Sequence, residues 1–492
     1  MIDIKSSLPS SPLLPSSLPH SLIALYESWA GCSPDMAVRL LGAGSDRIYW
    51  RLSSPGKSAV GVIADNEAEA RAFVDLARCF HANGIAVPEI YGECWNPNEC
   101  VYLQQDLGDN DLLSLLSSPD AESLLEKSMI SLSRMQTLPA VEWERCVAFP
   151  PLSERQVMWD LNYFKYAYLK PAGISFSEDR LEDDFSSLCA AVLSIPSECN
   201  GFMMRDCQSR NVMVSDGTPY WIDFQGGRRG PALYDAVSFI YQARAGFTAD
   251  LRKRLLEVYS DSFCKLRTVD REVFLSALPV LRLFRALQVM GAYGFRGLVQ
   301  HRSHFIVSIP QALANLSELV EEGAVDGYPE LMRVIRTLID DSRFRMPEAK
   351  GLEVKVYSFS YKKGYPDDFT GNGGGFMFDC RALPNPGRYD EYKQLTGLDL
   401  PVIDFLKKYK EIDDYISHVK ALVGPAVKRY LERGFTSLQV GFGCTGGQHR
   451  SVYCAETVSA WLAAEYPDAR VSVCHRERGV ASVKSEGKGV RK

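Results

Sequence analysis

The order of strand-like and helix-like segments changes at the polar segment Asp341–Gly351. Before it, short segments with the alternation of β-strands come first and long helix-patterned segments follow. After it, the two kinds of segment alternate. Strands followed by helices are typical of an α+β domain, whereas regular alternation is typical of a parallel α/β sheet. The sequence therefore predicts an α+β domain followed by a smaller α/β domain with a parallel sheet.

The predicted elements and boundaries follow this division. In the first region we predict strands at Arg47–Leu52, Ala59–Ala64 and Val101–Gln105 and helices that include Asp250–Leu266 and Val273–Met290. In the second we predict strands at Leu352–Ser360, Phe376–Arg381, Ser437–Gly443 and Arg470–His475, separated by helical stretches at Tyr389–Lys420 and Ser451–Glu465. We expect a variable Ser- and Pro-rich segment at 1–35, a first domain at 36–345 with lobes 36–107 and 108–345, a second domain at 352–478 and a basic, disordered tail at 479–492.

Composition restricts the class of protein. The chain has 492 residues, of which 46% are apolar and 24% charged, and this excludes a fibrous, disordered or disulfide-stapled chain. The opening residues lack the unbroken apolar block of a signal peptide, and no apolar run approaches the roughly 18 residues of a membrane span. The 13 cysteines are scattered without a CxxC pair. We therefore expect a cytoplasmic protein with no membrane segment.

Charge is divided unevenly along the chain. Residues 351–492 contain 21 Lys and Arg and 17 Asp and Glu, a net charge of +4. Subtraction from the totals of 55 and 61 leaves 34 and 44 for residues 1–350, a net charge of −10. The basic end, with Lys484, Lys488, Arg491 and Lys492, is compatible with RNA contact, and a solvated tail is the alternative.

A glycine pair precedes the first predicted strand. Gly42 and Gly44 would let the backbone lie close over nucleotide phosphates, and the strand begins at Arg47. Gly-X-Gly is also typical of a simple turn between strands, so this motif is weak by itself.

Three polar residues later in the chain indicate phosphoryl transfer. Asp206 and Asn211 stand five residues apart before an apolar segment, the spacing of the catalytic loop in protein-kinase-like enzymes. Asp223 follows a short apolar strand 17 residues beyond Asp206. Asp206 would accept the proton of the attacking hydroxyl, and Asn211 and Asp223 would hold a divalent ion. Each motif alone also fits an ordinary turn, but the three in this order favour a kinase.

Residues 36–345 resemble the aminoglycoside phosphotransferase and choline kinase family, within the protein-kinase-like fold of two lobes. The stretches Met204–Asn211, Trp221–Gln225 and Arg228–Asp235 are closest to the anomeric kinases of N-acetylmuramic acid and N-acetylglucosamine. The resemblance implies ATP and Mg²⁺ as cofactors, Asp206 as base, Asn211 and Asp223 as metal ligands, and an adenine-contacting hinge at Gln104, Asp106 and Leu107.

Two positions depart from this family. Met204 stands where the family commonly has His, and the strand Ala59–Ala64 lacks the Lys that clamps the α- and β-phosphates. Arg47 or Lys57 would have to substitute for it. For the sugar acceptor, Trp159, Asp160 and Tyr163 offer aromatic faces and a carboxylate, with packing into the core as the alternative for each residue.

A glycine-rich loop in the second region indicates an anion site. The loop joins a predicted strand to a predicted helix, so its backbone N–H groups and the helix dipole would face an anion. The residues expected to contact it are Cys444, Thr445, Gly446, Gly447, His449, Arg450 and Ser451.

The same loop has the C-x5-R spacing of cysteine-dependent phosphatases, from Cys444 to Arg450. Such an enzyme needs a general acid, for which Asp379 is the candidate. We favour simple anion binding over catalysis at this loop.

Residues 352–478 resemble the C-terminal domain of RapZ, the RNase adapter protein. The matching stretches are Phe378–Pro386, Leu395–Leu406, Gly441–Glu456 and Cys474–Glu477. The resemblance implies binding of glucosamine-6-phosphate and of a small regulatory RNA. It places the phosphate on Cys444–Gly447 and His449–Ser451, and Asp379, Arg381 and Asn385 near the sugar. The ATPase domain of RapZ, marked by GxxxxGK[ST], is replaced here by the kinase-like region.

The two halves share an amino-sugar theme. The hypothesis is an ATP- and Mg²⁺-dependent kinase that phosphorylates the anomeric hydroxyl of an amino sugar in cell-wall recycling, with a fused domain that binds a phosphorylated amino sugar as an effector. The alternatives are a kinase for an aminoglycoside or choline, and a pseudokinase scaffold whose C-terminal domain binds RNA or a partner.

Overall fold

The computed structural model describes residues 18–40, 47–96, 99–300, 302–344, 351–366 and 375–487. The chain forms two compact units. The first comprises Met1–Tyr166, Ser175–Gly291 and Gln311–Arg336, and the second comprises Ala167–Ile174, Ala292–Pro310 and Thr337–Lys492.

An antiparallel sheet of five strands forms the beginning of the first unit. Its elements are α1 (His20–Ala30), β1 (Met36–Leu40), β2 (Ile48–Ser54), β3 (Lys57–Ile63), α2 (Glu67–Ala82), β4 (Ile90–Asn96) and β5 (Glu99–Gln105). The strand order is β1-β2-β3-β5-β4, and the three predicted strands are confirmed to within two residues at each end. Helix α1, from the segment expected to be variable, buries Leu22 and Tyr26 completely. A Cβ on Gly61 would lie 2.6 Å from Leu22, so glycine lets α1 approach β3 closely.

Helices dominate the chain from residue 108 to residue 344. They are α3 (Ala121–Thr137), α4 (Ala140–Trp143), α5 (Glu154–Phe164), α6 (Lys170–Ala172), α7 (Glu178–Leu193), α8 (Leu233–Ile240), α9 (Ala249–Arg267), α10 (Arg271–Ser276), α11 (Leu278–Tyr293), α12 (Ser303–Ile306), α13 (Ile309–Glu321) and α14 (Pro329–Asp340). The helix predicted at Val273–Met290 is divided at Ala277. Pro279 explains the division, because proline has no N–H to donate and is tolerated in the first turn of a new helix.

Four short strands interrupt these helices. They are β6 (Asn200–Met203), β7 (Val212–Ser215), β8 (Thr218–Trp221) and β9 (Arg228–Pro231). Strand β6 pairs with β9 and β7 pairs with β8, both antiparallel. The loops between these strands carry the predicted catalytic residues.

Among the described residues, one helical stretch is long and apolar enough to cross a membrane by length and composition alone. It covers Arg271–Val299, and half of its apolar window is buried inside the protein, as in the core helices of soluble proteins.

The second unit contains a five-stranded sheet. Its elements are β10 (Glu353–Ser360), β11 (Gly375–Asp379), α15 (Leu400–Leu406), α16 (Lys410–Arg433), β12 (Ser437–Cys444), α17 (Arg450–Glu465), β13 (Arg470–His475) and β14 (Val480–Glu486). The order is β11-β12-β10-β13-β14, with four parallel strands and β14 antiparallel at the edge. Val354, Val356 and Val440 are fully buried at its centre. The predicted parallel α/β sheet is confirmed.

Two predictions for this region are wrong in detail. The stretch predicted as one helix at Tyr389–Lys420 contains a 3₁₀ turn at Asp390–Tyr392, then α15 and the start of α16. The tail expected to be disordered from residue 479 contains β14 instead, because a ladder to β13 and an ion pair of 2.7 Å between Lys484 and Glu456 hold it. Lys488, Arg491 and Lys492 lie outside the described residues.

Candidate functional site

The structure brings together the three residues predicted to perform phosphoryl transfer. Asp206 follows β6, Asn211 precedes β7 and Asp223 follows β8. The Asn211 side chain donates from Nδ2 to the backbone oxygen of Asp206 at 2.8 Å and to Oδ2 of Asp223 at 3.3 Å. The proximity of the trio is therefore observed, while their roles stay predictions.

The donor set of this site fits a divalent cation such as Mg²⁺. Both hydrogen bonds of Asn211 use its amide nitrogen, which leaves Oδ1 as the ligating atom. Asp223 adds carboxylate oxygens, the other ligand type that Mg²⁺ prefers. Nowhere in the described ranges do three His, Cys, Asp or Glu residues form a possible metal cluster, so at this site the ligands would be a carboxylate and an amide oxygen.

Asp223 is held in a strained backbone position. Its φ angle is 63°, in the left-handed region that costs a non-glycine residue about 1–3 kcal/mol. Gln225 donates to its Oδ1 at 2.8 Å, and burial raises the pKa of its carboxyl group above the ordinary value. Phe224 is fully buried and stacks on Phe73 of α2 with 4.7 Å between ring centroids. Packing of Phe224 thus fixes the direction in which Asp223 points.

Asp235 is hydrogen-bonded to the backbone of the loop that carries the predicted base Asp206. Its carboxylate accepts hydrogen bonds from the backbone N–H of Met204 at 2.7 Å and of Arg205 at 2.9 Å, and from Gln136 at 2.9 Å. Arg205 has a φ angle of 74°, so these bonds offset a second strained position. Complete burial raises the pKa of Asp235 to about 7. The sequence-based site lacks Asp235, although it lies within the stretch Arg228–Asp235 that carried the family resemblance.

Arg47 is one of the two cations predicted to replace the phosphate-clamp lysine. It lies 3.2 Å from Glu69 of α2 and 3.7 Å from Asp223. The residue pairing in the sheet sets Tyr49 opposite Val62, and Val62 faces away from α1 because Gly61 faces Leu22. Arg47 stands one residue before the start of β2 and reaches the site through its contact with Asp223.

The other nucleotide-contact predictions have mixed outcomes. Lys57 donates to the backbone oxygen of Ala30 at 2.7 Å rather than to a residue of the trio, which favours Arg47 over Lys57 for this role. Gly42 and Gly44 lie outside the described residues. Gln104 and Leu107 lie at the end of β5 and just beyond it, and Oε1 of Gln104 is buried without a hydrogen-bond partner in the described structure.

The side chain of Asp106 is occupied by neighbours on the sheet. It lies 2.8 Å from Arg51 and accepts a hydrogen bond of 2.5 Å from Ser58. Burial would raise the pKa of Asp106, but these two contacts outweigh it and hold the pKa below its usual value. Only the backbone of Asp106 is left to contact an adenine.

The three predicted acceptor residues differ in their surroundings. Asp160 forms an ion pair with Arg205, with 2.6 Å between Oδ2 and Nη2. Arg205 immediately precedes the predicted base Asp206 in the chain. Trp159 is 71% exposed. Tyr163 packs against Gly291, where a Cβ would lie 2.8 Å from its ring. Of the three, Asp160 contacts the loop that carries Asp206, through its ion pair with Arg205.

Two buried arginines beside this loop were missed from the sequence. Arg228 pairs with Met203 at the start of β9, and its guanidinium lies 4.8 Å from the centre of the Phe149 ring. Burial, with Arg205 nearby, lowers the pKa of Arg228 to about 10, and its Nε has no hydrogen-bond partner. Arg285 donates to the hydroxyl of Tyr234 at 3.2 Å. Within the described part of the chain, neither arginine has a carboxylate at ion-pair distance.

The glycine-rich loop of the second unit joins β12 to α17, as predicted. Sγ of Cys444 accepts a hydrogen bond of 3.1 Å from the N–H of Gly447 and lies 3.1 Å from the hydroxyl of Ser451. Burial would raise the pKa of the Cys444 thiol, but hydrogen bonds from Ser451, Gly447 and Gly446 outweigh it, so the pKa lies below its usual value. Gly447 has a φ angle of 67°, which glycine adopts without strain.

A cavity of about 230 Å³ opens beside this loop. Of the predicted residues it is lined by Asn385, Cys444, Thr445, Gly446, His449 and Arg450, and additionally by Gly387, Lys393 and Gln448, for which the sequence held no signal. Gly447 and Ser451 do not line the cavity; they contact the sulfur of Cys444, which does.

Three predicted anion-site residues are already engaged. Asp379 and Arg381 are bound to each other at 2.7 Å and do not line the cavity. Arg450 donates from Nη1 to the backbone oxygens of Arg381 at 2.7 Å and of Leu383 at 3.1 Å. Arg450 therefore braces the 381–383 loop with one nitrogen while its side chain lines the cavity.

Comparison with known families matches both halves. Residues 37–272 match the phosphotransferase enzyme family, and residues 352–479 match the RapZ C-terminal domain. A nucleotide-binding protein of Burkholderia vietnamiensis is 35% identical over 217 residues, which cover 43% of this chain and 68% of that protein. One of Thermotoga neapolitana is 40% identical over 120 residues, 24% of this chain, and the chain spans 41% of its length.

Among solved structures, a choline kinase from Cryptosporidium parvum is similar over 61% of this chain and 93% of its own, with 12% identity and a TM-score of 0.40. The two family matches together cover most of the chain. The chain therefore combines a domain of the phosphotransferase enzyme family with a RapZ C-terminal domain.

Proposed function

We propose that the protein is an ATP- and Mg²⁺-dependent kinase that phosphorylates the anomeric hydroxyl of an amino sugar. The observation that carries this proposal is the assembly of Asp206, Asn211 and Asp223 by two hydrogen bonds of one amide. This is the arrangement that phosphoryl transfer needs, with a base for the hydroxyl beside ligands for the metal. The 13 cysteines, all free, and the use of ATP fit a cytoplasmic location.

Each residue of the site has a defined task in this reaction. The exposed carboxylate of Asp206 accepts the proton of the attacking hydroxyl. Asn211 and Asp223 hold Mg²⁺, which when bound neutralises charge on the β- and γ-phosphates. Arg47, oriented by Glu69, contacts the phosphates in the role of the lysine–glutamate pair of protein kinases. The orphaned Oε1 of Gln104 accepts a hydrogen bond from an adenine amino group.

The charges beside Asp206 favour an acidic acceptor. Arg228 and Arg285 are each 6% exposed, and among the described residues neither has a carboxylate at ion-pair distance. Together with Arg205 they surround the single carboxylate of Asp160, so a further negative charge from a ligand would lower the cost of burying three cations. A sugar acid such as N-acetylmuramic acid carries a carboxylate that supplies this charge, whereas N-acetylglucosamine does not. The acceptor we propose is therefore N-acetylmuramic acid.

The cavity of the second unit fits a phosphorylated amino sugar. Its lining combines the start of α17 with Lys393, His449 and Arg450, which are groups that bind phosphate. We propose that glucosamine-6-phosphate binds there as an effector. If the effector regulates the kinase, each ligand changes the affinity of the other by the same factor, about 1–3 kcal/mol in free energy. Calorimetric titration of the effector with and without bound nucleotide measures this coupling, and identical affinities contradict it.

A test of the kinase activity uses a mixed pool of sugars with ATP and Mg²⁺, followed by mass spectrometry of the phosphorylated products. We expect a sugar 1-phosphate from the wild type and none from Asp206→Ala, which should still bind nucleotide. Product from Asp206→Ala would show that Asp206 is not the base. No product with any sugar, together with tight RNA binding that weakens steeply with salt, would favour a scaffold instead.

A further inference from the structure

The loop that binds the proposed effector also contains a nucleophile. Cys444 stands at the start of a C-x5-R-S sequence, with Arg450 and Ser451 at its end, and its sulfur borders the cavity. We propose that this cavity hydrolyses the phosphomonoesters it binds, with Cys444 as nucleophile and His449 as general acid and base. The inference rests on the phosphomonoester binding proposed above and adds a reaction to it.

The surroundings of Cys444 favour a thiolate. Cys444 is 3% exposed, and its sulfur accepts a hydrogen bond of 3.1 Å from the backbone N–H of Gly447. The Ser451 hydroxyl lies 3.1 Å from the sulfur and can donate to it once the sulfur is a thiolate. Since α17 is 16 residues long and begins at Arg450, its N-terminal N–H groups add partial positive charge. The thiolate form, which attacks phosphorus, is thus present at a lower pH than in an ordinary thiol.

His449 has a free nitrogen at the cavity. The residue is 9% exposed, and its Nε2 lies 2.9 Å from the backbone oxygen of Tyr392. A carbonyl oxygen only accepts, so Nε2 carries the proton of this contact and Nδ1 is the nitrogen left for a ligand. In the described structure Nδ1 has no hydrogen-bond partner. A Cβ on Gly387, which lines the cavity, would lie 3.4 Å from Nδ1, so this edge of the ring faces the cavity wall.

Asp379, the general acid expected from the sequence, is not placed to donate a proton to a ligand in this cavity. The carboxylate of Asp379 is bound to Arg381 at both oxygens and lies outside the cavity lining. Its side-chain bond to Arg381 holds the pKa of Asp379 below the usual value, which weakens it as a proton donor. His449 replaces it because it lines the cavity with an unoccupied nitrogen.

The two steps balance with water as the only co-reactant. In the first, the Cys444 thiolate forms a bond to phosphorus, the bond from phosphorus to the sugar oxygen breaks, and protonated His449 gives its Nδ1 proton to that oxygen. In the second, neutral His449 takes a proton from water, whose oxygen forms a bond to phosphorus as the sulfur leaves. The products are the free amino sugar and inorganic phosphate, and both side chains return to their starting forms.

The test measures inorganic phosphate released from glucosamine-6-phosphate by the full chain without ATP. Asp206→Ala serves as the background, since it removes the kinase reaction. We expect release by this background protein, no release above buffer after the further change Cys444→Ser, and a fall of about 10²-fold or more after His449→Asn. Cys474→Ser, a half-buried cysteine outside the cavity, is the matched control and should retain the rate. An equal rate with Cys444→Ser would overturn the assignment.

A binding measurement separates this inference from the effector site itself. Cys444→Ser keeps a hydrogen-bonding group of similar size, so glucosamine-6-phosphate should still bind in calorimetry, and binding also shows that the variant is folded. Binding to the wild type without phosphate release would overturn the hydrolysis and leave the effector proposal intact. Absence of binding to the wild type would overturn both. Acid quenching of the wild-type reaction should trap phosphorus on Cys444, detectable by mass spectrometry of the peptide.

Discussion

Asn211 donates its side-chain amide to Oδ2 of Asp223 at 3.3 Å, although the two residues are separated by the β7–β8 hairpin. The hairpin explains the contact, because Val212 pairs with Trp221 and the N–H of Ile222 donates to the backbone oxygen of Asn211 at 3.0 Å. The residues at the open end of the hairpin therefore meet. One local element supplies both proposed metal ligands, and its register sets their separation.

Replacement of a proposed metal ligand should abolish turnover without unfolding the protein. We expect Asp223→Asn to lower kcat about 10²-fold or more and to raise the Mg²⁺ concentration needed for half-maximal rate, since an amide is a weaker ligand than a carboxylate. Steady-state rates across a Mg²⁺ titration measure this. Asp216→Asn, in the exposed turn of the same hairpin, is the control and should resemble the wild type. An unchanged Mg²⁺ dependence in Asp223→Asn would remove Asp223 from the metal site.

Removal of the negative charge of Asp235 should disturb the catalytic loop. In the wild type the Asp235 carboxylate accepts from the backbone N–H groups of Met204 and Arg205 and from the side chain of Gln136. In Asp235→Asn one oxygen is replaced by an NH₂ group, which cannot accept, so at least one of these donors loses its partner. We expect a loss of about 1–3 kcal/mol in the free energy of unfolding. Urea unfolding followed by circular dichroism measures it, and a wild-type midpoint would contradict the supporting role.

Arg47 and Lys57 give opposite predictions. Arg47→Ala should raise the KM for ATP and lower kcat/KM about tenfold or more, because it removes the cation between Glu69 and Asp223. Lys57→Ala should leave ATP kinetics unchanged, since its amine is bound to Ala30. Initial rates at varied ATP compare the two, and equal effects would contradict the assignment of the clamp to Arg47.

The acidic-acceptor proposal predicts a change of specificity. Arg228→Gln should lower kcat/KM for N-acetylmuramic acid by about 1–3 kcal/mol in transition-state binding and leave the value for N-acetylglucosamine nearly constant. The neighbouring Arg229, half-exposed and bound to Glu144 at 2.7 Å, supplies the control variant Arg229→Gln. A parallel loss for both sugars in Arg228→Gln would assign Arg228 a structural role only.

The lowered pKa of Cys444 predicts a pH-dependent contribution to stability. A thiol with a lowered pKa in the folded state stabilises the fold fully above its unfolded pKa, near 9.0, and loses this contribution as the pH falls through the folded value. The difference in unfolding free energy between wild type and Cys444→Ser should therefore be larger at about pH 9 than at about pH 6. Urea unfolding of the second unit at both values measures it, and a constant difference would contradict a lowered pKa.

The parts of the fold that sequence patterns identified are local. The strands β2, β3, β5, β10, β12 and β13 follow their alternating or apolar segments because neighbouring residues decide which face is buried. Helix α1 and strand β14 were missed, since their stability comes from packing on distant strands: α1 against Gly61 of β3, and β14 against β13 and Glu456.

The sequence by itself determined the predicted catalytic trio and the glycine-rich loop, because in both cases residues close in the chain, or joined by one hairpin, make the site. Only the tertiary structure showed that Arg47 lies between Glu69 and Asp223, that Arg228 and Arg285 are buried near Asp160, and that Lys393 and Gln448 line the cavity of the second unit. Residues distant in the chain bring these side chains to their sites. Burial and the pairing of charges depend on tertiary packing, so a local sequence pattern does not predict them.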